Sequence, residues 1–518
     1  MTDSDDDTGT GEPRGELSRR RFLQGTLGAA LASAGIYEMI DTVAQPPERP
    51  AFASSPPTQE QYILQSEQVI KVDGAGVKSS KGTIPVRVPT LHDHVITATL
   101  NVPANAKALL EAQHHLESVL LGLERQFTPT PTGVGIAVAW GLPYFHQYIP
   151  SLGKTSSFFK TGTSYPEYLP VDLVTSKMEG HTVYALQESM TFPSDQAPPG
   201  FGPVRLEQND MAVLVRSDSL ANIMTASNAL FGPGNNQAGG LFKVTSIRRG
   251  FSGGGFYGQQ GLPSKLALAA HLPGAQSIPP HAQGFLGFTT TLQSNMGPGI
   301  IANLETLTGV TDQWPHGYFR QGTTMQLSHL FQDLATWYGQ GFRYYARRVQ
   351  AMFQTGLSPA PAQGTLTLDP PGQSEADVAH GVQQYHAYGH SGSMAQVDST
   401  TSPMTSNYGV AYPTGTTIPV RGDFDTLDNP FYYTSDPTGD HYSNKKAVGL
   451  HFIMFQPTIG TFNRIRLAMD GHYSDKTLPV APRSHSAGIN SVLYTTHRQN
   501  YLVPPRRHRC FPLAEFLA

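Results

Sequence analysis

The chain has 518 residues, enough for two or three ordinary domains or one large duplicated one. With 39% hydrophobic and 10% aromatic residues it can bury a sizeable core, which excludes wholesale disorder, and a net charge of −4 gives no field that would attract nucleic acid or an acidic membrane. One cysteine, Cys510, excludes an intrachain disulfide and any thiolate-held zinc or iron–sulfur centre.

The first 40 residues read as a targeting segment. Ser18-Arg19-Arg20-Arg21-Phe22-Leu23 leads into a mild apolar run that ends near Ala32-Ser33-Ala34, and this is similar to a twin-arginine export signal. The run is too short and too rich in Gly and Ala for a membrane span, and no other segment reaches about 18 uninterrupted apolar residues. The expectation is export to the periplasm, the cell surface or the medium, with no stable membrane insertion once the signal is removed. Residues 41–80 follow as a flexible linker, Pro-rich and polar over 41–60.

Alternation predicts a strand over 94–102, where Ile96, Ala98, Leu100 and Val102 share a face. Leu109, Leu116, Val119, Leu120 and Leu123 then recur at helical spacing within 104–127, and 133–141 alternates again. A second β-α-β unit reads as a strand at 210–217, a helix at 219–231 and a strand at 242–247. Together they predict a β-α-β-β-α-β half over residues 81–280. The same grammar returns over 281–470. A short strand passes into a long helix across 322–353, a strand apolar on both faces covers 447–456, and a helix covers 458–469. Long Gly-, Pro-, Ser- and Thr-rich insertions occupy 356–380 and 385–446. Residues 471–518 read as an irregular extension, with Arg506, Arg507 and Arg509 as a solvated basic patch.

Several short stretches carry chemical candidates. Gly250-Phe251-Ser252-Gly253-Gly254 matches the G-x-S-x-G elbow of serine hydrolases, and Gly389-His390-Ser391-Gly392-Ser393 nearly does. An elbow needs a strand before the serine and a helix after it. Ser252 lacks the helix and Ser391 lacks both, so a secreted serine hydrolase through either serine is an alternative reading. His386 and His390 stand four apart, but Gly389 and Gly392 disfavour the continuous helix that would aim both rings at one metal. A single imidazole suffices as an axial haem ligand, and an ordinary loop histidine is the competing reading.

The order of motifs resembles the dye-decolorising peroxidase family. Residues 285–294 resemble its G-F-x-D-G stretch, with Gly287 and Phe288 in place, and residues 322–337 resemble its G-S-Y-x-V-x-R-R-I strand with the helix after it. Ile418-Pro419-Val420-Arg421-Gly422 resembles its I-L-R-R-G turn, and Gly449-Leu450-His451-Phe452-Ile453-Met454-Phe455-Gln456 resembles its G-L-L-F-x-x-F-Q strand. The resemblance implies an α+β fold of duplicated ferredoxin-like halves with antiparallel sheets, a dimeric α+β barrel, and long loop insertions. It implies haem b on His390, with His386 as the alternative ligand, Arg421 on a propionate, and Phe288, Phe452 and Phe455 lining the cofactor. The family's distal aspartate falls at Thr290 and its distal arginine at Ser328 or His329. A threonine cannot take up the proton that peroxide heterolysis moves, so peroxide-dependent oxidation is expected to be weakened, with His329 the candidate base. Peroxide and a small or bulky organic reductant would be the partners, with Trp314, Trp337, Tyr338 and Tyr344 as electron relays; a homo-oligomer is compatible and nucleic acid is not. A haem-free binding or structural module on the same fold is the other reading.

Overall fold

A computed structural model describes residues 61, 68–72, 77–78, 84–127, 130–149, 169–198, 201–234, 237–252, 260–280, 282, 284–287, 292–293, 301, 303–339, 366–367, 400–414, 416, 418–428, 433–434, 446–469 and 492–517. The first half follows the predicted grammar closely. Strand β1 (His92–Leu100), helix α1 (Ala106–Gln126) and strand β2 (Gly135–Gly141) come first. A two-residue strand, β3 (Arg205–Leu206), precedes β4 (Met211–Ser217), helix α2 (Leu220–Phe231) and β5 (Phe242–Phe251). Both helices start where a side-chain acceptor satisfies a free amide: Asn105 caps Ala108 and Ser219 caps Asn222. Leu109, Leu116 and Leu120 of α1 are 0–1% exposed against Ile96, Val138 and Val213. Each such leucine contributes about 1.5–3 kcal/mol over its exposed state.

In the second half, β6 (Thr323–Gln332) runs into a short helix, α4 (Leu334–Tyr338), which follows the earlier helix α3 (Leu262–Ala269). Then come β7 (Val420–Arg421), β8 (Phe424–Thr426), β9 (Gly449–Gln456), helix α5 (Ile459–Ala468) and β10 (Leu493–Val503). Two expectations are corrected here. Residues 323–332 form a ten-residue strand rather than a short one, with α4 after it; residues 340–353, where the long helix was expected to continue, lie outside the described residues. The extension after 470 is not irregular throughout, because β10 is an eleven-residue strand.

That strand completes a symmetry. The first half orders its strands β5-β1-β4-β2 and the second orders them β8-β9-β6-β10. Numbered within each half, both give the ferredoxin-like order 4-1-3-2, the second read from its other edge. β10 then pairs with β2 through Tyr501 and Gly141, and β8 meets β5 at Asp425 and Phe251. The two sheets thus close into one ring, a duplicated α+β barrel with antiparallel neighbours. Gln61 ties the β10–β2 side, its amide bonding both the N–H and the C=O of Val138 and the C=O of Pro504.

The inner faces meet at Val95, Ala137, Leu214, Met325, Leu327, Ile453, Phe455 and Tyr501. Outside, α1 and α2 cover the first sheet; α5 covers part of the second with Phe192, Phe462 and Ile465. A separate cluster of Phe251, Leu262, Leu266, Phe285, Trp337 and Leu427 flanks β8. The basic tail is a solvated patch only in part: Arg507 is exposed, but Arg506 pairs with Glu124 of α1, and Arg509 is 3% exposed and pairs with Glu117 and Glu124. Among the described residues no helix is long and apolar enough to cross a membrane.

Candidate functional site

Directly paired residues of an antiparallel sheet point to one side, so register assigns each candidate to the barrel interior or to the helix-covered exterior. Met454 packs with Phe192 and Phe462 and marks the exterior. Its partner Arg421 therefore lies outside, as do Phe452 opposite Ser328, and Leu450 opposite both Leu330 and Asp425. β9 has strands on both sides, yet Leu450 and Phe452 are only half-buried, and so are Leu330, Arg421 and Asp423. Phe452 packs on Phe462 of α5 and Leu330 on the cluster around Trp337, so among the described residues the cover reaches this strip without burying it fully. It leaves an apolar wall with a guanidinium and two carboxyls along one edge.

Those carboxyls are Asp423 and Asp425. Burial pushes Asp425 well above the usual carboxylate range and the charge of Asp423 pushes it further, while the backbone N–H of Phe285 holds it down in part. Burial also raises Asp423, against the pull of Arg421. Asp423 is half-buried as a residue, but its carboxyl is enclosed. The turn that brings Phe285 to Asp425 is pegged from α4: Trp337 Nε1 donates to the Leu286 carbonyl at 3.0 Å and the Tyr338 hydroxyl donates to that of Phe285 at 2.7 Å. These two aromatics, expected as electron relays, hold that turn in place. A carboxyl that keeps its proton above the ordinary range can give it up and recover it.

Ser328 also faces outward but lies under a lid. It is 3% exposed, and Arg498 sits opposite it on β10. Arg498 grips Asp195 with both terminal nitrogens, at 2.6 and 2.9 Å, and Arg466 of α5 reaches the same carboxylate at 3.3 Å. Both guanidiniums lie over the Phe192 ring, at 4.8 and 5.3 Å from its centroid. The positive charge beside Ser328 is thus present, though supplied by other elements and already neutralised. Hydrogen bonds from Arg498 and the charges of both arginines hold Asp195 below its ordinary range, despite burial.

His329 is turned inward and cannot serve the exterior wall. Its Nδ1 lies 2.6 Å from the Thr496 hydroxyl, and its ring centroid is 5.0 Å from that of His451. His497 lies 3.3 Å from Glu207, which is ion-paired with Arg248. Burial holds His329 and His451 well below the usual imidazole range and His497 at about 4. Phe455 also points inward, 0% exposed, and so does not line the wall. Ser252 donates to Asp93 at 3.0 Å, and Asp93 is paired with Arg216. Residues 253–259, where the helix of a hydrolase elbow would begin, lie outside the described residues. Thr290, Phe288, His386, His390, Ser391 and Tyr344 lie outside the described residues. Trp314 is 46% exposed and meets Tyr408 edge-on at 5.9 Å. No group of three or more His, Cys, Asp or Glu side chains among the described residues could hold a metal ion.

Sequence reasoning reached Arg421 and Phe452 but missed Asp423, Asp425, Asp195, Arg466 and Arg498. Asp423 and Asp425 alternate within the segment Arg421–Thr426, a period-2 signal that was available. The Asp195–Arg498 pair had none, because its partners lie 303 positions apart.

These features define an α+β barrel of two ferredoxin-like halves with a half-open exterior wall on the second. The chain belongs to the family of unknown function DUF7405, whose model matches residues 181–505. No curated protein matches it. Among solved structures it is similar to the DyP-type peroxidase from Cellulomonas bogoriensis, at 13% identity and a TM-score of 0.43, covering 85% of this chain and 95% of that one. It is also similar to the encapsulated DyP-type peroxidase from Mycobacterium smegmatis, at 11% identity and a TM-score of 0.42, covering 86% and 98%.

Proposed function

We propose that the chain is an exported haem-binding protein that holds haem b against the half-open wall of β6, β8 and β9, with weakened peroxide-dependent oxidation. The observation that carries this reading is the strip itself: half-buried Leu330, Leu450 and Phe452, edged by Arg421 and by the Asp423 and Asp425 carboxyls. The residues fit the group. A flat apolar wall suits a macrocycle, and Arg421 would pair with a propionate, since guanidinium and carboxylate match in geometry and charge. His390, outside the described residues, is the proposed axial ligand. When bound, haem supplies a redox-active iron for peroxide-dependent oxidation of an organic reductant.

The chain's own part is proton handling. Thr290 cannot exchange a proton at working pH, and a positioned acid–base group contributes about 10²–10⁴-fold. Asp425, whose carboxyl burial raises well above its usual range, stands beside the wall and is the group able to recover part of that loss. The argument for export is the Ser18-Arg19-Arg20-Arg21-Phe22-Leu23 segment. Protein purified with haem supply is expected to show a Soret band that His390→Ala abolishes; no band after reconstitution refutes the reading. One observation favours a second reading, a haem-free module on this fold. The ground over Ser328 is filled by Asp195, Arg466, Arg498 and Phe192. Absence of the band would leave that reading standing.

A further inference from the structure

The barrel interior carries a feature that the exterior wall does not use. His329 on β6, His451 on β9 and His497 on β10 occupy register-matched positions on three neighbouring strands, His329 pairing with both others, and all are 0–1% exposed. Both ring nitrogens of His451 lack a hydrogen-bond partner, and its faces meet Phe424 at 5.1 Å and His329 at 5.0 Å. The seam beside it is already irregular, since the β6–β10 register shifts between His329 and Leu330 where Thr496 reaches across. We propose that these imidazoles form an acid-operated latch: proton uptake puts like charges in a sealed layer that already contains Arg248, and the seams of β6 with β9 and β10 part while the first sheet holds.

The charged and titratable groups facing the layer come from every strand around it. His329, His497 and Arg248 of β5 face His451; Arg248 and Glu207 face His329; Glu207, Arg248 and Arg205 of β3 face His497. Glu207 is the sole counter-charge in that set, and Arg248 and His497 hold it at about 2, so it stays ionised through the relevant range. It is already ion-paired with Arg248. Three added protons would therefore meet one anion that is already matched.

The sign of the linkage follows from the imidazole shifts. All three are depressed below 6.5, so the fold favours the neutral rings. Their contribution is full above pH 6.5 and is lost as pH falls toward about 4, where His497 begins to protonate in the folded state. Each imidazole kept neutral in the fold raises the unfolding constant tenfold per pH unit below its unfolded pKa. His94 on β1 shifts the same way from a different environment beside Arg249 and His92, so the wild-type slope includes it. Asp93, Asp210, Asp423 and Asp425 are raised and act with opposite sign between 3.8 and their higher folded values, so the wild-type slope includes them too. The difference between wild type and His451→Phe is the quantity to read.

The test uses the full chain, with denaturant unfolding followed by circular dichroism from pH 7.5 to 4.5 and amide exchange at pH 7 and 5. His451→Phe, which fills the same space beside Phe424, is expected to remove one tenfold-per-unit step from the slope below pH 6. Wild-type protection factors are expected to fall at pH 5 in β6, β9 and β10 and to persist in β1, β2 and β4. An unchanged slope in His451→Phe overturns the proposal, and so does a uniform loss of protection. If His451→Phe does not fold, imidazole nitrogen shifts of the wild type decide: a protonated His451 ring in folded protein at pH 6 overturns the latch, and a neutral ring at pH 5 supports it.

Discussion

Replacing Asp195 by alanine removes the shared anion of a buried ionic cluster. Asp195, Arg498 and Arg466 have side chains only 3%, 2% and 7% exposed, so solvent cannot take over the lost charge. The variant forfeits the two bonds from Arg498, the contact with Arg466 and the bond from the Phe192 N–H at 2.8 Å. It also takes the shared counter-charge away from two guanidiniums that lie over one phenyl ring. Stripping one partner from a buried ion pair costs about 3–5 kcal/mol. Arg498 keeps the Met190 carbonyl and Arg466 keeps the Ser194 hydroxyl, each at 2.8 Å, which places the expected cost at the lower end, about 3 kcal/mol. Denaturant unfolding at pH 7 reads this as roughly a hundredfold larger unfolding constant. Asp195→Ala combined with Arg498→Met is expected to recover part of the loss, since an apolar replacement of both members of a buried pair is often neutral. The depressed Asp195 pKa gives a second signature. Its contribution is complete above pH 3.8 and is lost as pH falls through its lower folded value, so wild type and variant should converge in strong acid. A single variant within about 1 kcal/mol of wild type, or a double variant no better than the single, refutes this account.

Two further outcomes are expected. Gly250→Ala should destabilise the barrel where β5 meets β8, because the added methyl would overlap the Asp425 carbonyl and the Phe424 ring. Overpacking of this kind costs about 1–3 kcal/mol, and a melting temperature equal to wild type would contradict it. Asp425→Asn should be more stable than wild type at pH 7, because the buried carboxyl with a raised pKa no longer has to ionise or hold a proton there. Its advantage should vanish at acid pH, where the native carboxyl is protonated in folded and unfolded chains alike. Equal stability of the two proteins across that range would show that Asp425 is not held in the protonated form.

The first half was readable because its elements obey apolar periodicity. α1 keeps its leucines on one face, and β2 and β4 alternate between helices outside and small apolar side chains inside. β10 defeated the same reading because its buried positions are polar. His497 turns to Glu207, Arg498 to Asp195, and the side-chain Oε1 of Gln499 accepts from Asn209 Nδ2. Each residue looks like surface in the sequence and is buried only through a partner supplied from far away. β6 misled for a related reason: Gln326, Ser328 and His329 break the apolar pattern that would have extended the strand. At the site, Arg421 and Phe452 were reached through motif resemblance. His329 was misplaced because one step in strand register sends a side chain through to the other face.

The ring closes through β10, whose Tyr501 meets Gly141 of β2 and whose length runs along β6. These are pairings between the early and the late parts of the chain, and such long-range contacts form slowly. During synthesis the first sheet can assemble while its β2 edge, and the β6 edge after it, wait for a partner that the ribosome has yet to deliver. Exposed edges are where chains pair wrongly with one another. The nascent protein therefore passes through an interval in which its best-formed part is also its most adhesive, and residues 493–503 end that interval.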